Sequence, residues 1–128
     1  MKLEQIETAD MDVKSIKIYK DNIYILFLTV YDTCLKKYIK NVELVFSNWS
    51  SFTLEKYDST IEEYKQFDLL EINRSKEFFT LIQIINIFED VIELEGFNND
   101  GEWNKVIIFN PSYKLNVINI DNFQTNIL

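Results

Sequence analysis

Hydrophobic and polar positions alternate along most of this chain, and a period of two predicts β-strands. β-branched and aromatic residues are prominent within the alternating segments, which favours strands further. In the segment 23–30, Ile23 and Ile25 face one side, whereas Tyr24 and Leu26 face the other. Both faces of this strand are therefore expected to be covered, as in the middle of a sheet.

About nine short strands are predicted from this alternation. They cover residues 13–19, 23–30, 39–47, 52–55, 64–73, 77–88, 91–97, 103–110 and 113–120. The first two strands are separated by a short polar turn and form a hairpin, and Asp100-Gly101 predicts a second tight turn with left-handed backbone. Such a series of strands predicts a mainly β fold, either an antiparallel β-sandwich or a partly open barrel.

The segment 77–88 fits two structures. Its polar residues Thr80, Gln83 and Asn86 recur at every third position, which would place them along one side of a helix. Its β-branched residues favour a strand instead. As a strand it would form another hairpin with the alternating segment before it, and this hairpin would close at residues 73–76.

The composition predicts a single domain over residues 1–128. The chain is 47% hydrophobic and contains only 2 Gly and 1 Pro, so it has enough apolar residues for one core and no obvious linker. Residues 1–10 are expected to form a short helix or to fray. The sequence shows no signal-peptide core and no membrane-length apolar run, so we expect a cytoplasmic protein without membrane contact.

The residue types present exclude much catalytic chemistry. Histidine is absent, which removes the commonest general base and the commonest zinc ligand. Cys34 is the only cysteine, so a thiolate zinc site is excluded, and we expect no metal and no cofactor. Glu93 and Glu95 share one face of a strand, as a carboxylate pair for glycoside hydrolysis would, but such alternation is typical of a solvated face. We therefore expect a protein that is not an enzyme, with a carboxylate-only hydrolase as an alternative.

The net charge of −8 indicates what kind of partner the protein binds. Phosphate backbones would be repelled, which disfavours nucleic acid. A basic protein surface would be attracted. Apolar residues on both faces of several strands would also suit a β-barrel that carries an apolar small ligand, which is a further alternative. The protein is expected to be a monomer, or a homodimer formed through an exposed edge strand.

The two tryptophans are the most conspicuous candidates for partner contact. Trp49 and Trp103 each lie beside a predicted turn and have polar neighbours. Tryptophan at a loop edge can anchor a partner or can close the end of a sandwich core, and the second interpretation is favoured for Trp49. The full set of candidate contact residues is Asp12, Trp49, Asp100, Glu102 and Trp103.

Three stretches in the first half of the chain carry a family resemblance: MDVKSIKI at residues 11–18, IYILFLTV at 23–30 and VELVFSNW at 42–49. In these stretches the chain resembles small bacterial immunity proteins of polymorphic toxin systems, particularly the immunity protein 50 type. Such families often carry a His-Asp pair before the first strand; Asp12 matches this pair, and Met11 stands where the histidine would be. The resemblance implies a cytoplasmic protein that binds and inhibits a cognate toxin and has no reaction of its own.

Overall fold

The computed structural model describes residues 1–19, 21–67 and 79–118, which contain ten β-strands. These are β1 (Ile6–Glu7), β2 (Val13–Tyr19), β3 (Asn22–Asp32), β4 (Lys37–Ser47), β5 (Ser51–Asp58), β6 (Glu63–Phe67), β7 (Leu81–Ile87), β8 (Val91–Phe97), β9 (Trp103–Phe109) and β10 (Ser112–Val117). In the first sheet β1 and β2 both pair with β3, and the order continues β3–β4–β10. The second sheet has the order β6–β5–β9–β8–β7. All pairings are antiparallel, so the predicted mainly β fold is confirmed.

A pair of neighbouring chain segments bends from the first sheet into the second. β4 pairs with β10 as far as Ser47, and β5 pairs with β9 from Ser51 onwards. Between these pairings, the three residues 48–50 of one segment lie opposite the two residues 110–111 of the other. Asn48 and Asn110 lie at the bend with φ angles of 55° and 52°, in the left-handed region. Such an irregularity turns a strand sharply, and here it folds the second sheet over the first.

The core lies between the sheets and consists of inward side chains from both. In the first sheet Val42, Leu44 and Phe46 are fully buried on one face, as their spacing predicts. In the second sheet Leu54 and Val106 are paired and buried to a similar degree. Most of the buried apolar residues in the described part of the chain belong to one cluster, to which both sheets contribute.

The N-terminal residues close one side of the sandwich. Of the short helix or frayed end predicted for residues 1–10, the chain forms a short 3₁₀ helix of one turn at Leu3–Gln5, which buries Leu3 in the core. Further along, the Thr8 hydroxyl donates a hydrogen bond of 2.8 Å to the carbonyl of Ile82 and joins this segment to β7. No helix within the described residues is long and apolar enough to cross a membrane.

One predicted pairing is wrong and one open choice is resolved. β7 is a strand, so the helical alternative for residues 77–88 is excluded over Leu81–Ile87. The hairpin expected between this strand and the segment that begins at residue 64 does not occur between β6 and β7, because these strands lie at opposite edges of the second sheet. Alternation marks a strand but not its partner, which explains the error. The turn predicted at 73–76 and the last two residues of the final predicted strand lie outside the described residues.

Candidate partner-binding surface

Two pairs of aromatic side chains lie beside a carboxylate on the outward face of the second sheet, and one ring of each pair contacts it. Tyr57 and Tyr64 pack edge to face with ring centroids 5.3 Å apart, and Phe97 and Trp103 do so at 4.9 Å. Trp103 Nε1 and the Tyr64 hydroxyl both donate to Oε1 of Glu95, each at 3.4 Å. These five residues are termed the Glu95 cluster.

Strand register explains why these side chains share one face. Phe97 pairs with Trp103, and Tyr57 pairs with Tyr64, so the members of each pair project to the same side of the sheet. The neighbouring inward positions in β8 and β9 are buried. Tyr57 and Tyr64 expose 36% and 39% of their surface. The Glu95 cluster is therefore open to a binding partner.

The charges around the cluster are mostly negative. Glu55, Lys105 and Glu95 form one row across three neighbouring strands, and Glu93 lies two residues from Glu95 on the same face. Lys105 Nζ lies 5.5 Å from the centroid of the Tyr64 ring, which is a cation–π distance. Partial burial, followed by the nearby Glu95 carboxylate, raises the pKa of Tyr64. The Tyr64 hydroxyl thus stays protonated at neutral pH and acts as a hydrogen-bond donor.

A groove of about 600 Å³ opens beside the cluster, between the β5–β6 turn and the β8–β9 turn. Lys56 Nζ lies 2.7 Å from Glu102 Oε1, and Lys65 Nζ lies 3.0 Å from Asp58 Oδ2. Trp103 lines this groove and also belongs to the Glu95 cluster. The groove therefore extends the aromatic surface with two pairs of opposite charges.

The β8–β9 turn holds Glu102 at the edge of the groove. Asn98 Oδ1 accepts hydrogen bonds from the backbone N–H groups of Asp100 and Glu102, and Asn98 Nδ2 donates to Glu102 Oε1. Gly101 has a φ of 75°, which confirms the left-handed backbone predicted for this turn. Hydrogen bonds from Lys56 and then from Asn98 lower the pKa of Glu102, so this side chain is a carboxylate at neutral pH.

Asp58, on the opposite side of the groove, is expected to titrate well below an ordinary aspartate. Hydrogen bonds from the Thr60 hydroxyl and from Lys65 lower its pKa from 3.8 to about 2. Because the folded pKa lies below the unfolded one, the stability contributed by Asp58 is present above pH 3.8 and is lost as the pH falls towards about 2. Thr60→Val should raise the pKa of Asp58 in an NMR titration, whereas Ser59→Ala should leave it unchanged. An unaltered pKa in Thr60→Val would contradict this account.

Three of the predicted contact residues lie together at this end of the second sheet. Trp103 is in the Glu95 cluster, Glu102 lines the groove, and Asp100 is exposed in the adjoining turn. Asp12 forms an isolated bridge with Leu81 on β7, which places it at the same end of the sheet but beyond β8. The structure thus places Asp12 at the margin of this surface.

Trp49 lies at the other end of the second sheet, at the bend between the sheets. Its side chain is half-buried and packs against the core. The ring centroid lies 5.7 Å from that of Phe52. This position corresponds to a residue that closes the end of the sandwich, and it separates Trp49 from Trp103 by the length of β9.

Some residues of this surface were not found from the sequence. Tyr57 and Tyr64 lie on either side of the β5–β6 turn, and a known turn length would have paired them across this hairpin. Glu95 was interpreted as a solvated charge, because its contact with Trp103 depends on the register between β8 and β9. Lys105 gave no signal of its own, since a lysine on an alternating strand is ordinary.

Comparison with known proteins shows no relative from which a function could be transferred: no family model, no curated protein and no solved structure matches this chain. Within the described part of the chain, no group of three or more acidic, cysteine or histidine side chains is arranged to hold a metal ion. The functional argument therefore rests on the Glu95 cluster and its surroundings.

Proposed function

We propose that this protein is a non-catalytic binding protein of the immunity type, which inhibits a basic toxin domain by binding to it in the cytoplasm. The Glu95 cluster is the observation that carries this proposal. It combines exposed tyrosines, a tryptophan and a carboxylate on one sheet face. Tyrosine and tryptophan are the residue types most enriched among the energetically dominant contacts of protein interfaces.

Trp103 is the expected anchor of this interface. Its indole is held by the edge-to-face contact with Phe97 and by the hydrogen bond to Glu95, so its orientation is fixed before the partner arrives. A side chain that is already ordered loses little conformational entropy on binding. The groove beside it offers a concave surface into which part of the partner fits.

Charge supports a basic partner. The chain has a net charge of −8, and among the described strands Glu55, Glu93 and Glu95 share the proposed face with Lys105. An acidic surface accelerates association with a basic protein and makes the rate sensitive to salt. The resemblance of residues 11–18, 23–30 and 42–49 to immunity proteins supports an inhibitor in particular. Toxins that act on nucleic acids or membranes are often basic, which fits an acidic inhibitor.

Co-expression with the product of the adjacent gene tests the proposal. We expect the two proteins to purify as a complex that weakens as the salt concentration rises, because the interface pairs opposite charges. We also expect this protein to restore growth to cells that produce the toxin. The absence of both a complex and protection would contradict the proposed function.

A further inference from the structure

The Glu95 cluster has the composition of a site for an organic cation. Aromatic faces attract cations through the negative potential of the ring, and several rings around one position form a cage. Here Tyr64 and Trp103 contact a carboxylate that would neutralise the bound charge. Each of these rings packs against a second one, Tyr57 and Phe97 respectively. A carboxylate and two aromatic side chains therefore meet at one partly exposed position.

Lys105 shows that a cation fits beside the Tyr64 ring of the cluster. Its ammonium group lies 5.5 Å from the centroid of the Tyr64 ring, and its strand position is directly opposite Glu95. A flexible lysine in such a place acts as an internal competitor, since exposed cation–π contacts are worth only about 0.5–1 kcal/mol. A better-fitting cation from outside can displace it at low cost.

Glu95 has unused capacity to accept hydrogen bonds. Its Oε1 accepts bonds from Trp103 and Tyr64, both of 3.4 Å and both from uncharged donors. Charged donors bind a carboxylate at about 2.7–2.9 Å and roughly twice as strongly as neutral ones. A cationic donor would therefore form stronger bonds to Glu95 than the two present in the free protein.

We infer that the Glu95 cluster binds a guanidinium group, and hence an arginine side chain of the protein partner; the partner half of this statement rests on the proposed function. A guanidinium is planar and stacks on aromatic rings while its two parallel N–H groups engage a carboxylate. An ammonium group lacks this planar geometry and is more strongly hydrated. Arginine is therefore preferred to lysine at this position.

A titration of the free protein with N-acetyl-arginine amide tests the site without any partner protein. The chain contains 2 Trp, so the two indole N–H signals in an NMR spectrum serve as probe and internal control. We expect the Trp103 signal to shift with arginine, less with N-acetyl-lysine amide, and not with the uncharged N-acetyl-norleucine amide. The Trp49 signal should stay in place, because that residue packs at the opposite end of the sheet.

Two variants test separately the competition by Lys105 and the negative charge of Glu95. Lys105→Met should tighten arginine binding about two- to fivefold, because the internal competitor is removed. Glu95→Gln should weaken it, since the neutral amide no longer pairs with the guanidinium. Wild-type protein whose Trp103 signal does not respond to arginine, or responds equally to norleucine, would overturn the inference. Weaker arginine binding by Lys105→Met would overturn it as well.

A failure of the cation site can be distinguished from a failure of the proposed immunity function. Arginine binding in a protein that forms no complex with the neighbouring gene product would support the cation site and contradict the immunity role. A complex formed by a protein whose Glu95 cluster ignores arginine would support the immunity role and overturn the cation site.

Discussion

Replacing Gly96 with alanine is expected to lower the free energy of unfolding by about 3 kcal/mol, the upper end of what overpacking usually costs. A Cβ atom on Gly96 would lie 1.9 Å from the carbonyl oxygen of Leu81 and 2.9 Å from Cα of Ile82. Both are backbone atoms of the paired strand β7, so no side-chain rotation relieves the clash. β7 and β8 must therefore separate or change register, and chemical denaturation of the variant measures the loss.

Gly101→Ala is the matched control, because Gly101 is the other glycine of this chain. No atom lies within 4 Å of a Cβ built there, and the cost comes from its φ of 75° alone. Left-handed backbone costs a non-glycine residue about 1 kcal/mol. A loss at Gly96 no larger than the loss at Gly101 would show that β7 and β8 are not packed as described.

The strands themselves could be predicted because alternation directly reflects which side chains face the core. Residues 13–19 were predicted as a strand, and β2 spans Val13–Tyr19. Strand partners could not be predicted in the same way. β6 and β7 are separated by three strands in the second sheet, and the chain contains no local signal for such a long-range arrangement.

The two tryptophans show that local sequence also does not tell which side chain packs on the core and which lies on the binding surface. Trp49 and Trp103 have similar polar neighbours in the sequence, yet one closes the core and the other lies on an exposed face. The difference arises because Asn48 takes a left-handed conformation at the bend, which directs the chain from one sheet to the other. Asparagine tolerates this conformation but does not require it, so the bend could not be read from composition.

The contacts of Glu95 depend on the alignment of three strands. Its carboxylate meets the Tyr64 hydroxyl from β6 and the Trp103 indole from β9. The predicted turn at Asp100-Gly101 brings β8 and β9 together, but the position of β6 depends on pairing with β5 at the far side of the sheet. Sequence alternation thus identified the exposed face, and only the sheet order identified the cluster on it.

Trp103→Ala is expected to have the largest effect on partner binding, a loss of about 2 kcal/mol or more, or roughly 30-fold in affinity. The substitution removes the anchoring ring, its edge-to-face contact with Phe97 and its hydrogen bond to Glu95. Tyr38→Ala is the matched control. Tyr38 is 64% exposed and packs edge to face against Tyr31, 5.1 Å away, but it lies on β4 in the first sheet.

Isothermal titration calorimetry of these two variants and the wild type against the product of the adjacent gene, the partner that the proposed function requires, tests the central claim most directly. Folding of both variants is verified first by chemical denaturation. If the outward face of the second sheet is the interface, Trp103→Ala loses roughly 30-fold in affinity, and Tyr38→Ala binds like the wild type. Wild-type affinity in Trp103→Ala, together with a loss in Tyr38→Ala, would place the interface on the first sheet and contradict the account.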